Sequence, residues 1–194
     1  LNAQLRPQDP EDALPGDVAA CVAFLREIGL SVSVLEAVGP GTFTPGIRIR
    51  AGSLEIDPTA RASGLLHEAG HLATMPTRFR PLMEGNLYAS VRRISMLASD
   101  LGLEPDHPLE RALIQCGDTE ATAWAWAAGC HIGLSPTAII QDDEYEGEGA
   151  EIRGMLSMNA YFGISGMTHA GLCGHPRRPG GYPAMRKWLQ DADA

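Results

Sequence analysis

An α+β fold, with a small β-sheet packed on a mainly helical domain, is what this 194-residue sequence predicts, on three observations. Short alternating runs gather before residue 57, and these are the strand candidates. From Pro76 onward the apolar residues recur at steps of three and four, which is helical spacing. The length suits one domain with a proper core, whereas two domains would both be small.

Residues 1–15 are polar and proline-containing, and read as a loose N-terminal arm. Val18, Cys21, Val22, Leu25 and Ile28 then form a helical stripe from Gly16 to about Ile28, with Gly29 placed to close it. Ser31 to Val38 carries β-branched residues at alternate positions and reads as a strand, broken by Pro40-Gly41. Ile47 to Arg50 and Leu54 to Ile56 alternate about Ala51-Gly52-Ser53, a natural hairpin with one face on the core. Asp57-Pro58 reads as an N-cap followed by proline at the first position of the next helix, which Pro76 stops.

After Pro76, Leu87, Val91, Ile94, Ala98 and Leu101 predict a helix ending at Gly102, and Pro108 opens another. In that second helix the inward line runs Leu109, Leu113, Cys116, Glu120, Ala123 and Ala127. Trp124 and Trp126 fall on opposite faces of it, so both faces are expected to meet protein. Gln141 to Glu151 is an acidic, glycine-containing stretch read as an exposed loop. Ile152 to Gly174 reads as two short helices broken near Gly163-Ile164-Ser165, and residues 175–194 as a solvated C-terminal tail.

Composition narrows the function classes. Lys and Arg number 15 against 24 Asp and Glu, a net charge of −9, which argues against a nucleic-acid or anionic-membrane partner. The four cysteines form no C-x-x-C pair, and neither a signal-peptide pattern nor a long apolar span is visible. A cytoplasmic chain with reduced thiols is expected. Cys173-Gly174-His175 lacks a second half-site and reads as a buried thiol beside a loop histidine.

The chemistry gathers at His67-Glu68-Ala69-Gly70-His71, an H-E-x-x-H motif on a predicted helix. Residues four apart on a helix differ by about 40° in azimuth and one turn in height, so both imidazoles reach one ion. Glu68, about 100° round from His67, is placed beside that ion as a base rather than a ligand. The pattern is the zincin signature, and Zn2+ is the expected cofactor. A third ligand is required. Glu120, a carboxylate inside an apolar stripe, costs several kcal/mol unless it is paired or bound to a cation, so it calls for a metal or an internal Arg. Asp118 lies about 200° from Cys116 and points away from that stripe, which makes it the weaker ligand candidate.

These residues resemble the ImmA/IrrE-type zinc metallopeptidases, compact zincin-like proteins of bacteria and phages. Leu66 to Leu72 is similar to that family's H-E-L-G-H helix, and Glu120-Ala121-Thr122-Ala123-Trp124-Ala125 resembles its E-A-n-x-F-A motif. Phe162-Gly163-Ile164-Ser165 is similar to its F-x-V-S segment. The resemblance implies Glu120 as third ligand and a regulatory protease acting on a protein partner, such as a repressor. The stretch between His71 and Glu120 is longer than is usual in the family, with residues 76–107 filling it. The H-E-A-G-H spelling is also similar to the protease domains of membrane-bound AAA proteases, whose third ligand is an aspartate; Asp118 or Asp100 would fill that role here.

The expected activity is therefore zinc-dependent peptide hydrolysis, with His67, His71 and Glu120 holding the metal and Glu68 as general base. A non-proteolytic metal sensor or interaction module on the same fold is the alternative. A hydrogen-bond donor for the tetrahedral oxyanion is also needed. Tyr88, Tyr145, Tyr161 and His169 are available, and Tyr161 and His169 are favoured for their place in the glycine-rich C-terminal segment. His107 and His131, at loop edges, default to surface roles.

Overall fold

The computed structural model describes residues 9–40, 42, 44–85 and 87–191. It is α+β: eight α-helices among the described residues, and a three-stranded sheet near the N-terminal end. The N-terminal arm lies mostly outside the described residues, but Pro10–Ala13 forms a 3-10 turn and Glu11 pairs with Arg26 of the first helix.

Helix α1 (Gly16–Glu27) buries Val18, Cys21, Val22, Phe24 and Leu25, the stripe its periodicity predicts. The strand expected over Ser31–Val38 shrinks to β1 (Val32–Val34). β2 (Ile47–Arg50) and β3 (Ser53–Ile56) form the hairpin, with Ile47 opposite Ile56 and Ile49 opposite Leu54. β1 pairs in parallel with β3, which makes β3 the central strand. Ile47, Ile49, Leu54 and Ile56 all turn to one buried face, as two-residue periodicity requires.

Helix α2 (Ala62–Thr74) carries the His-Glu motif and ends ahead of Pro76. Its start differs from expectation. Asp57 does not cap it, because the carboxylate is used elsewhere: one oxygen accepts from Thr59 N (2.9 Å) and Thr59 Oγ1 (2.5 Å), the other from Val38 N (2.9 Å). Asp57 thus ties the end of β3 to the segment after β1, and α2 begins only after Arg61.

Helix α3 (Leu87–Ser99) fills the long stretch before the second motif and buries Ile94, leaving Tyr88 and Met96 largely exposed. The helix expected from Pro108 through Ala127 is two helices, α4 (Pro108–Ile114) and α5 (Asp118–His131). Gln115 leaves helical geometry with ψ 47° and Gly117 is fully extended with ψ −175°, so the two helices share no common phase. Both Trp124 and Trp126 are buried, and α5 lies at the centre, packed against α2 and α8. α6 (Pro136–Ile139), α7 (Gly149–Ser157) and α8 (Gly163–His169) complete the helices, with a 3-10 turn at Tyr145–Gly147 inside the acidic loop.

The segment expected as a solvated tail is packed instead. Tyr182 is buried and donates its hydroxyl to Ala123 O at 2.9 Å, and Trp124 Nε1 donates to Trp188 O at 2.9 Å. Gln190 is fully buried, its backbone N–H donating to Ala73 O at 2.8 Å and its side chain to Ala170 O at 2.9 Å. Its glycine, proline and arginine content gives this segment a polar appearance, while the side chains of Tyr182 and Gln190 and the backbone of Trp188 and Gln190 anchor it to α2, α5 and the end of α8.

Candidate metal centre

Helix α2 crosses α5 at Gly70, where a β-carbon would lie 2.5 Å from the carbonyl oxygen of Ala121. Only a residue without a side chain permits that approach. It sets the N-terminal turn of α5 over the face of α2 that bears His67 and His71. His71 is 4% exposed, and its ring meets that of His67 edge to face with centroids 4.8 Å apart.

The carboxylate that reaches this pair is Asp118. Its Oδ1 lies 3.2 Å from His71 Nε2 and 3.9 Å from His67 Nε2, and the two Nε2 atoms are 3.2 Å apart. Ligands about 2.0–2.1 Å from a tetrahedral ion stand roughly 3.3 Å from one another, so these three atoms have the spacing of a facial ligand set. The group could hold a metal ion. The donor chemistry fits as well. Burial and the neighbouring His71 push His67 down to about 4, which keeps the ring neutral and its lone pair free. The hydrogen bond from His71 holds the Asp118 carboxyl below the usual range, so it is ionised.

Glu120, expected as the third ligand, is placed otherwise. It is 5% exposed, as the stripe predicts, yet its Oε2 accepts from Gly117 N at 3.2 Å and Thr119 Oγ1 at 3.0 Å. The buried charge is met by the start of its own helix, in the reciprocal half of a capping box, and not by the imidazoles. The correction follows from the break at Gln115–Gly117. With α5 restarting at Asp118, that residue opens the helix with its carboxylate turned to the His pair, while Glu120 turns back onto Gly117. Gly117-Asp118-Thr119-Glu120 carried the signal, since glycine is a permitted N-cap and Glu falls three residues later.

His67 is oriented from behind by two residues that the metal motif does not include. Thr122 Oγ1 donates to Asp118 O at 2.8 Å, one helical turn back, and so has no second hydrogen to give. Toward His67 Nδ1, 3.4 Å away, and Tyr145 OH, 3.0 Å away, its oxygen is therefore the acceptor. That arrangement puts the hydrogen of the neutral His67 ring on Nδ1 and leaves Nε2 bare toward Asp118 and His71. Tyr145 OH also lies 3.3 Å from Nδ1. Tyr145 comes from the acidic loop, which is tied to the first turn of α2 by Ser63 Oγ donating to Glu144 Oε1 at 2.6 Å and by Arg61 pairing with Asp143. Tyr145 and Glu146 hold φ of 54° and 60°, a left-handed backbone that non-glycine residues rarely adopt.

Glu68 is 8% exposed and accepts a 2.5 Å hydrogen bond from Thr44 Oγ1. It lines a small pocket of about 70 Å3 with Thr44, Ile47, Ile49 and Gly85, between α2 and strand β2. Of the two favoured oxyanion donors, Tyr161 stands near the centre, where the charges of Glu120 and Asp118 act on its phenol. Burial is the main cause of its raised pKa. His169 lies at the end of α8, in a cleft whose lining includes none of His67, His71 and Asp118. Tyr88 is exposed on α3. His107 caps α4, its Nδ1 accepting from Leu109 N, and His131 packs at a tilt against Phe24 and Trp188. The four cysteines are free thiols, and no helix among the described residues is long and apolar enough to cross a membrane. No family model matches the chain, and no curated protein or solved structure matches it either.

Proposed function

We propose that this protein is a zinc-dependent metallopeptidase of zincin-like architecture, similar to the ImmA/IrrE type, that cleaves a protein partner such as a repressor. The observation that carries the proposal is the convergence of His67 Nε2, His71 Nε2 and Asp118 Oδ1 within 4.8 Å of one another, with the motif's Glu68 on the same helix. An ion held there supplies Lewis-acid activation of a water and of a peptide carbonyl. The chain supplies the remainder. The Glu68 carboxylate takes a proton from the attacking water and passes it to the leaving amine nitrogen, while Thr44 fixes its orientation. Thr122 and Tyr145 hold His67 in the tautomer that presents Nε2. With the Tyr145 hydrogen already given to Thr122, the hydroxyl of Tyr161, whose phenol lies within reach of the Asp118 and Glu120 charges, is the donor available to a tetrahedral oxyanion.

The resemblance and the geometry name different third ligands, Glu120 and Asp118, and the proposal takes Asp118. An aspartate third ligand also matches the AAA-protease pattern, but the proposed activity is the same under either. Glu68→Gln tests it. Metal content is expected to stay unchanged while hydrolysis of a casein or peptide-library substrate falls by about 10²–10⁴-fold. Hydrolysis that persists in this variant at full metal content overturns the peptidase assignment, and a cellular function that persists without hydrolysis supports the metal-sensing or interaction module.

A further inference from the structure

A cleft of about 890 Å3 opens between α8 and the C-terminal segment, within the roughly 300–1,000 Å3 range typical of ligand sites. Its described lining includes Gln115, Tyr161, Phe162, His169, His175 and Arg177, and not one Asp or Glu. In a chain with 24 acidic residues against 15 Lys and Arg, a concave surface of this size without a carboxylate is out of keeping with the rest of the molecule. Arg177 has no carboxylate within ion-pair distance among the described residues, and is exposed to whatever enters. His175 is set as a donor beside it. Arg177 N–H donates to His175 Nδ1 at 3.2 Å, so a neutral ring keeps its hydrogen on Nε2. Phe162, 78% exposed, presents an apolar ring at the same cleft.

The cleft adjoins the candidate metal centre. Tyr161 lines it within reach of the Asp118 and Glu120 charges, and α8, which walls it, packs through Gly163 and Gly166 on Thr119 and Glu120 in the first turn of α5. The two carboxylates whose charges reach Tyr161 are already engaged. Asp118 faces the imidazoles, and Glu120, behind Gly166, is bonded to Gly117 and Thr119.

We propose that this cleft receives the substrate on one side of the scissile bond and selects a peptide carrying a carboxylate, bound by Arg177 and His175, with an apolar neighbour on Phe162. This rests on the peptidase reading above. A guanidinium free of competing carboxylates, beside a fixed N–H donor, is the chemistry that recognises a carboxylate. The carboxylate belongs to an Asp or Glu side chain or to a peptide C-terminus. A nucleic-acid ligand is disfavoured, since the chain's net charge of −9 repels a polyanion.

The test uses full-length Glu68→Gln protein with zinc, and fluorescein-labelled decapeptides that pair Phe with Glu or with Lys, each as free acid and as C-terminal amide. Anisotropy is expected to show the Glu peptide binding about 10-fold tighter than its Lys counterpart, with that preference lost in Arg177→Glu and kept in Arg177→Lys. A loss on amidation assigns the contact to the terminus, and a loss on replacing Glu by Gln assigns it to the side chain. Equal binding of the Glu and Lys peptides, a preference untouched by Arg177→Glu, or displacement by a single-stranded oligonucleotide at comparable affinity overturns the proposal. Wild-type hydrolysis of the same peptides separates the two claims. Cleavage without acid preference defeats the cleft proposal alone, whereas acid-selective binding with no cleavage defeats the peptidase reading and leaves the carboxylate site standing.

Discussion

Asp118 Oδ1 stands 3.2 Å from His71 Nε2 although the Asp118 side chain is 86% exposed, whereas the buried Glu120 two residues on makes no such approach. Burial and ligand capacity have been divided between two neighbouring carboxylates. The buried one stabilises the start of α5, and the exposed one faces the His67–His71 pair.

The two roles separate by mutation. Asp118→Ala is expected to abolish stoichiometric zinc binding, measured by plasma mass spectrometry after dialysis, and to cost the metal-free protein no more than about 1 kcal/mol, the scale of an exposed ion pair. Glu120→Ala is expected to keep the metal and to lose roughly 0.5–2 kcal/mol of stability in urea unfolding, the scale of a lost helix cap. Zinc loss in Glu120→Ala with retention in Asp118→Ala would reverse the assignment.

Much of this site was legible because helical periodicity is local. The four-residue spacing of His67 and His71 places them on one face whatever surrounds them. The α1 stripe and the Ile47–Ile56 hairpin were readable for the same reason. The approach of Asp118 to the two imidazoles was not, because the apolar stripe through Leu109, Cys116 and Ala123 remains in step across a break that resets the helix, and periodicity does not register a backbone turn at Gln115–Gly117. Thr122 and Tyr145 could not be found from spacing at all. Thr122 reaches His67 from α5, 55 residues on, and Tyr145 from a loop 78 residues on that folds back onto α2.

Thr122→Val removes the hydroxyl that accepts from His67 Nδ1 while conserving shape. Outer hydrogen bonds of this kind are worth about 10–100-fold in metal affinity, so zinc affinity from competition with a chromogenic chelator is expected to fall by that factor. Thr122→Ser should restore it. An unchanged affinity in Thr122→Val would mean that Tyr145 alone orients the ring.

The metal-free protein is expected to lose stability on acidification through the window between about 6.5 and about 4. His67 is lowered in the fold from 6.5 to about 4 by burial and by His71, so the unfolded chain binds its proton first. Unfolding therefore takes up a proton throughout that interval, and the stabilisation present above 6.5 drains away as pH falls. Asp118, also lowered, acts in the same sense at the acid end. Urea midpoints at pH 7 and pH 4.5 measure it. His67→Gln, which cannot titrate, should flatten the dependence, and an equally steep fall in that variant would place the cause elsewhere.

The packed C-terminal segment makes the sharpest contrast with expectation. A solvated tail could be removed at a cost within about 0.5 kcal/mol, as for other exposed groups. Here deletion from Tyr182 onward would uncover Trp124, strip the partner from Ala123 O and unseat Gln190 from Ala73 and Ala170, so the truncated chain is expected to lose cooperative unfolding. Gln190→Leu is the milder probe. It leaves the Ala170 carbonyl buried without its donor, a penalty of roughly 1–3 kcal/mol. In a chain of this size that corresponds to a fall in Tm of about 2–4 °C per kcal/mol, measured by calorimetry. Because Gln190→Leu keeps the backbone N–H that bonds Ala73 O in the last turn of α2, zinc affinity is expected to stay at the parent's value while Tm falls, and a lowered affinity would show that the side-chain bond to Ala170 O also holds α2 in place.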